Sequence, residues 1–433
     1  MTDRRAGAGP GRPASRTAPA PTTAAESVEA AISAATAHPD VFEVLLAGRA
    51  RAAAALIDRA ELTGPLAGEL ISVKANIDVA GVVTTGGSRA LRAAPPATTD
   101  AVTLRALCAA GAIPLGHAAM TELAESAVGL GPGIANPHDA RRVAGGSSTG
   151  DAAAVARGLV SLALVSDEGG SSRIPAAFCG VVGFRPSRGA LSRDGLLPLS
   201  PTLDGPALIA RDVATVRRAF DVLAGTPPSA PRHLTRPILA LPRTYVWDGC
   251  DPHVQTSLDH LLKRLGEHFR LTEVDIPEFH HLPALREQGD FAAAETAAWA
   301  RSAPLDRDLL GPLARDRLER GERLRACDYL TALRTRERLI TSVDARTAGW
   351  DAVLMPTAPR LPPLFDDLST ESEKQINPHL LRTSRLANLL DRPAVTLPAP
   401  ANRLVGLTLV GGRGADHRLL RLAAMVERAL GSS

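Results

Sequence analysis

Aromatic side chains make up only 3% of this 433-residue chain, so no core of stacked rings is available to it. The interior must be filled by Ala, Val and Leu, which a hydrophobic content of 45% supplies amply. Cysteine is scarce too: Cys108, Cys179, Cys250 and Cys327 stand far apart, with neither a metal-ligand spacing nor a disulfide framework. They are expected as buried free thiols in a reducing compartment. Charge of one sign is also lacking, since 49 basic residues face 46 acidic ones for a formal net charge of +3. That balance excludes direct nucleic-acid binding, which needs a clustered positive excess. No run of about 18 uninterrupted apolar residues occurs, so no membrane span is expected. The opening MTDRRAGAGPGRPASRTAPAPTTA has basic residues but no apolar stretch of the kind a secretory signal carries. Residues 1–25 are read as a disordered tail, and the protein as cytoplasmic.

Along the rest of the chain, short apolar runs alternate with Ala-rich helical patterns, which points to an α/β layered fold. Ala24 to Ala60 carries Ala, Leu and Val at helical spacing, broken into two helices at Pro39-Asp40. Strand-like pieces lie at Leu70–Val73 and Ile113–Gly116, with a helical run at Ala101–Ala110. Between 226 and 349 the texture changes to Pro-rich turns and long Arg/Glu/Leu helices such as Ala314–Ser342, read as a helical covering region with solvated charged faces. Strand-like runs return at Ala352–Met355, Ala394–Leu397 and Leu404–Val410, and an amphipathic helix covers Asp416–Leu430. The expectation is one α/β/α domain over 26–433, a central mixed β-sheet flanked by helices.

The chemistry gathers between Gly145 and Pro175, where two Gly-Gly-Ser-Ser turns are separated by one helical and one strand-like run. Each turn sets hydroxyls beside glycines that let backbone N–H groups crowd around a small anion, which is what an acyl-transfer oxyanion needs. The second turn, Glu168-Gly169-Gly170-Ser171, follows the apolar run Leu159–Val165, so its N–H groups can converge on a carbonyl held against Ser171. The first turn opens a helix at Ala152–Arg157, whose N-terminal dipole favours negative charge nearby. Lys74 lies in the apolar segment Leu70-Ile-Ser-Val-Lys-Ala, where burial would disfavour its ammonium form and make it a base near neutral pH. Taken singly, each has a plainer reading: a Gly/Ser turn, an N-cap serine, a strand-end lysine.

Together these segments resemble the amidase signature family, from about Glu26 to the C-terminus. The resemblance extends through Arg173-Ile174-Pro175-Ala176-Ala177-Phe178-Cys179-Gly180, Leu199-Ser-Pro-Thr-Leu-Asp204 and Met355-Pro356-Thr357. It implies a Ser–Ser–Lys triad in which Ser171 is the nucleophile that forms an acyl-enzyme. Ser147 would bridge through a cis peptide bond, and Lys74 would accept the proton and return it to the leaving nitrogen. The choice of Ser147 over Ser148 follows from the resemblance alone. The backbone of Glu168, Gly169, Gly170 and Ser171 would bind the oxyanion, with no cofactor and no metal. The substrate class implied is a small-molecule amide, and the protein partner a homodimer mate or a small accessory subunit. The chain departs from the family pattern at Ala75, where Asp is usual, at Glu168, where Thr is usual, and at Ser172, Asp391 and Thr408. The last two fall where the family builds its substrate pocket, so the resemblance names no substrate.

Two other readings use the same residues. An ammonia-releasing glutaminase-type or biuret-type hydrolase subunit working with a partner protein would keep the same triad. The segment Gly146-Ser-Ser-Thr-Gly150 also fits the nucleophile elbow of an α/β-hydrolase esterase, with Ser148 as nucleophile and Asp351 or Asp366 and His417 as later partners. An elbow must follow a buried strand, and the polar stretch Pro137–Arg142 is not one.

Overall fold

The computed structural model describes residues 23–225 and 236–431. The N-terminal tail therefore lies almost wholly outside the described residues; the first helix, Ala24–Thr36, begins one residue after its capping residue Thr23. Among the described residues, eleven strands form one mixed sheet. They are β1 (Phe42–Leu45), β2 (Leu70–Lys74), β3 (Ile113–Ala118), β4 (Leu162–Ser166), β5 (Val182–Arg185) and β6 (Pro206–Ala210), followed by β7 (Ile238–Pro242), β8 (Arg270–Val274), β9 (Ala352–Pro356), β10 (Ala394–Ala399) and β11 (Asn402–Val410). Their order across the sheet is β1-β3-β2-β4-β6-β5-β10-β11-β9-β7-β8, with helices on both faces. The result is the single α/β/α domain read from the sequence.

At the centre, β2 runs parallel to both β3 and β4, and β4 is buried along its whole length. A strand covered on both faces reads as a continuous apolar run, which is what Leu162-Ala-Leu-Val supplies. One face packs Ile71, Val73, Leu162, Leu164 and Leu208 against large aliphatic side chains. The other packs Ala163, Val165 and Ile209 against the helix Thr149–Ala156 through Ala152, Ala153 and Ala154. Small side chains bring that helix close to the sheet: a Cβ on Gly150 would stand 2.4 Å from the Val41 carbonyl oxygen. This close seating carries the first Gly-Gly-Ser-Ser turn to the end of β2. The β2/β3 register slips between Ile71 and Ser72, the kind of irregularity that re-aims the side chains beyond it, here Ser72 and Lys74.

The stretch 226–349 is not helical throughout, since it adds β7 and β8 to the sheet edge. Two helices, Pro312–Arg323 and Ala326–Thr347, replace the one read from Ala314 to Ser342. Their charges are not all solvated: Arg317 and Arg336 turn inward because fixed acids, Glu168 and Asp391, await them. The segment between Pro39 and the second helix, Ala47–Asp58, is strand β1 rather than a simple break. The four cysteines are unpaired, but only Cys179 is buried; Cys327 is exposed.

Candidate active site

Lys74 ends β2 with no exposure to solvent. Its Nζ donates to Ser147 Oγ at 2.7 Å and to Ser166 Oγ at 3.0 Å. Ser147 is equally buried, at the end of the first turn, and the Gly146–Ser147 peptide is cis. Ser148, its neighbour, is buried with a hydroxyl that meets no partner among the described residues. The two turns are stitched together by Ser148 N–H donating to the Ser171 carbonyl at 3.2 Å.

Burial drives the Lys74 pKa below its ordinary value, because an ammonium there loses its water. The charges of Asp151, Asp167, Glu168 and Asp204 push back the other way, and burial outweighs them. Asp151, in the first turn of the Thr149–Ala156 helix, is the largest of these opposing charges. Its carboxylate is fully buried, accepts from Ser72 Oγ at 2.7 Å, and leaves Oδ2 without a partner. Burial raises the Asp151 pKa, so lysine and aspartate are drawn toward a shared range.

The second turn is organised by Asp167. That carboxylate accepts from Gly170 N–H at 2.9 Å, Ser172 Oγ at 2.7 Å, and Arg173 Nε and Nη2 at 3.0 and 2.9 Å. Asn388 Nδ2 donates to it at 2.9 Å. Burial alone would raise its pKa, but Arg173 and Arg185 more than reverse that and hold it well below the ordinary carboxylate range. Gly170 has φ +125°, and a Cβ there would stand 2.3 Å from Ser384 Oγ, so glycine is required on both counts. Because the Gly170 N–H is committed to Asp167, it is not free to meet an oxyanion, contrary to its inclusion in the sequence reading. The N–H groups of Glu168, Gly169 and Ser171 donate to no acceptor among the described residues. Ser171 itself is 6% exposed and opens on a cavity of about 410 Å³.

The helix Thr370–Leu389 closes the turn from outside. Ser384 Oγ donates to the Gly169 carbonyl at 2.7 Å, and the Ser384 carbonyl accepts from Arg173 Nη1 at 2.7 Å. Glu168, unusual beside such a loop, is taken up by Arg317, whose Nη2 reaches both carboxylate oxygens at 2.9 Å. The same guanidinium meets Glu125 at 3.0 Å through Nη1. Burial raises the Glu125 pKa to about 7.

Lys74, Ser147, Ser171 and the loop from Glu168 are thus assembled in one place. The candidates for a histidine-based site are not. His417 stacks on Phe220 and lies 3.2 Å from Asp221, while Asp351 serves the Ile238 N–H and Arg418. The segment before the first turn forms no strand among the described residues, only the isolated bridges Ala135–Val143 and Arg142–Leu364, so the elbow context is missing. Sequence reasoning passed over Asp151, Ser166, Arg317, Arg385 and Asn388. Asp151 alone had a local signal, an acid in the otherwise Gly- and Ala-rich run Gly150–Ala154 that offers it no polar face. Among the described residues no group of three or more His, Cys, Asp or Glu converges as metal ligands, and no helix is long and apolar enough to cross a membrane.

A family model described as Amidase matches residues 26–420. The chain is 30% identical over 403 residues to the 2-amino-5-chloromuconic acid deaminase of Comamonas testosteroni, a match covering 88% of this chain and 87% of that protein. It is 32% identical over 396 residues to the indoleacetamide hydrolase of Pseudomonas syringae pv. syringae, covering 86% and 87%. A crystal structure described as that of an amidase superposes with a TM-score of 0.85 at 29% identity, covering 95% of this chain and 97% of that one.

Proposed function

This chain belongs to the amidase family, and on that premise we propose the course by which it breaks a carboxamide C–N bond. The hydrolysis of such a bond is the family's reaction; the assignment of residues to steps is our reading. Lys74, in its deprotonated form, draws the proton of Ser147 Oγ while Ser147 draws that of Ser171. Ser171 Oγ then bonds to the carbonyl carbon, and the electron pair of the C=O moves onto oxygen. On this reading the N–H groups of Glu168, Gly169 and Ser171, which donate to no acceptor among the described residues, receive that charge. Collapse breaks the C–N bond, and the proton held by Lys74 returns through Ser147 to the departing nitrogen as ammonia or an amine. Water repeats the sequence on the Ser171 ester and frees the acid.

The observation that carries this reading is the 2.7 Å contact with Ser147 of a buried lysine that otherwise meets only Ser166, behind a serine that faces a cavity. Both relatives bear the names of small-molecule substrates, which supports a small-molecule amide here. The test is covalent capture. A serine-directed fluorophosphonate, followed by peptide mass spectrometry, should label Ser171; label on Ser148 would sink the triad and restore the elbow reading.

A further inference from the structure

The cavity facing Ser171 is rich in charge, and most of it is matched within the protein. Arg317 is held by Glu168 and Glu125, and Arg320 by Asp290 and Asp316. Arg385 and Arg286 are different. Both line the cavity, and neither guanidinium makes a hydrogen bond or an ion pair among the described residues. Lys374 stands at the same wall, exposed and equally unmatched, against a single unpaired acid, the exposed Glu287.

Arg385 is the one set closest to the reacting groups. It belongs to the helix whose Ser384 and Asn388 clamp the nucleophile turn. Its Nε lies 3.1 Å from where a Cβ on Gly169 would stand, so the guanidinium rests against the oxyanion loop. Burial first and the repulsion of Arg286 next pull the Arg385 pKa down to about 10, against the more distant charges of Glu168, Glu125 and Asp290, none of which contacts the guanidinium. An anion entering between the two arginines would relieve that repulsion and satisfy planar, fork-shaped donors that match a carboxylate.

We infer that Arg385, supported by Arg286, is a carboxylate-binding subsite, and that the substrate is a short amide carrying a free carboxylate near its scissile C–N bond. The inference rests on the reading of Ser171 as the reacting serine. Gly169 and Ser171 have Cα atoms at most about 7 Å apart, so only a few bonds separate the carboxylate from the amide. A singly charged carboxylate is favoured over a phosphate dianion because Glu168 and Glu125 line the same cavity and would repel the second charge.

The test compares malonate, succinate and glutarate with their uncharged diamides, by thermal shift and calorimetry on the wild-type protein. At least one diacid should bind tenfold or more tightly than its diamide, and Arg385→Gln should reduce that preference by roughly 10- to 100-fold, the worth of one charge-assisted partner. The kcat/KM ratio for succinamate or glutaramate over the matching diamide should fall by the same factor. Equal binding of diacids and diamides by the wild type overturns the subsite, as does an Arg385→Gln protein that keeps the preference. Should Arg385→Gln fail to fold, Arg286→Gln and the wild-type comparison still decide. Ser171→Ala separates the two readings: it should retain diacid binding without turnover. Turnover by Ser171→Ala would defeat the nucleophile assignment while leaving the subsite standing.

Discussion

Lys74 and Asp167 are both fully buried, and they flank the same pair of glycine turns, yet they are solvated in opposite ways. Asp167 has two arginines, an amide, a hydroxyl and two backbone N–H groups around it, so its charge is completely replaced by protein. Lys74 has hydroxyls and one carbonyl, with no carboxylate in contact. A buried charge with a full complement stays ionised and holds the chain in place. A buried charge given only hydroxyls is biased toward giving up its proton, which is the state a base requires. On the proposed mechanism the two residues divide the work: one fixes the turn, the other moves protons through it.

The strongest way to break that comparison is to remove the proton carrier. Lys74→Met should lower amide turnover by about 10²- to 10⁴-fold or more, while its unfolding midpoint stays equal to or above wild type, since an apolar side chain of similar volume replaces a poorly solvated amine. Measured denaturation alongside steady-state kinetics checks both halves; a large loss of stability would mean that Lys74 is structural. Asp167→Asn should do the reverse. It leaves Arg173 and Arg185 buried without their anion and should cost about 3–5 kcal/mol of stability, read from urea unfolding, with activity lost only as the fold is lost. Stability within 1 kcal/mol of wild type would dissolve the distinction.

Smaller effects sharpen it. The rate should rise with pH as Lys74 loses its proton, and Asp151, whose charge favours the ammonium, sets where that rise falls. Asp151→Asn removes that charge, so the Lys74 pKa drops further and the acid limb of the pH–rate profile should move to lower pH. A limb that stays put or moves upward would show that Asp151 does not act on the lysine. At the bottom of the scale, His417→Ala should leave the rate nearly unchanged, because His417 packs on Phe220 beside Asp221, remote in role from the turns.

What the chain disclosed before folding follows the same line. Lys74, Ser147 and Ser171 sit in contiguous motifs whose glycines and apolar flanks mark the turns and the strand, and the family resemblance of those motifs made their meeting legible. Arg317, Arg385 and Asn388 lie on long helices with many polar positions, and which of those turns inward depends on acids and carbonyls that only the tertiary fold supplies. Strand β8, Arg-Leu-Thr-Glu-Val, carries no apolar alternation because it edges the sheet, where Arg270 and Glu273 stay exposed and no residue is fully buried. Strand β1 was missed because four residues between two helices carry no repeat to recognise.

The strand order has a consequence for how the enzyme comes into being. Every strand before Gly225 lies on one side of the β5–β10 pair and every strand after Arg236 on the other. Lys74, Ser147 and Ser171 therefore leave the ribosome together, early, in a half that already contains every group of the proposed triad. The clamp on their turn, Ser384 and Asn388, is translated some two hundred residues later. A nascent chain carrying Lys74, Ser147 and Ser171 thus has the Asp167–Arg173 contacts of the second turn but not yet those of Ser384 and Asn388. The outer clamp arrives only with the helix Thr370–Leu389, so a product truncated before it is expected to hold the proposed triad side chains yet lose amide turnover.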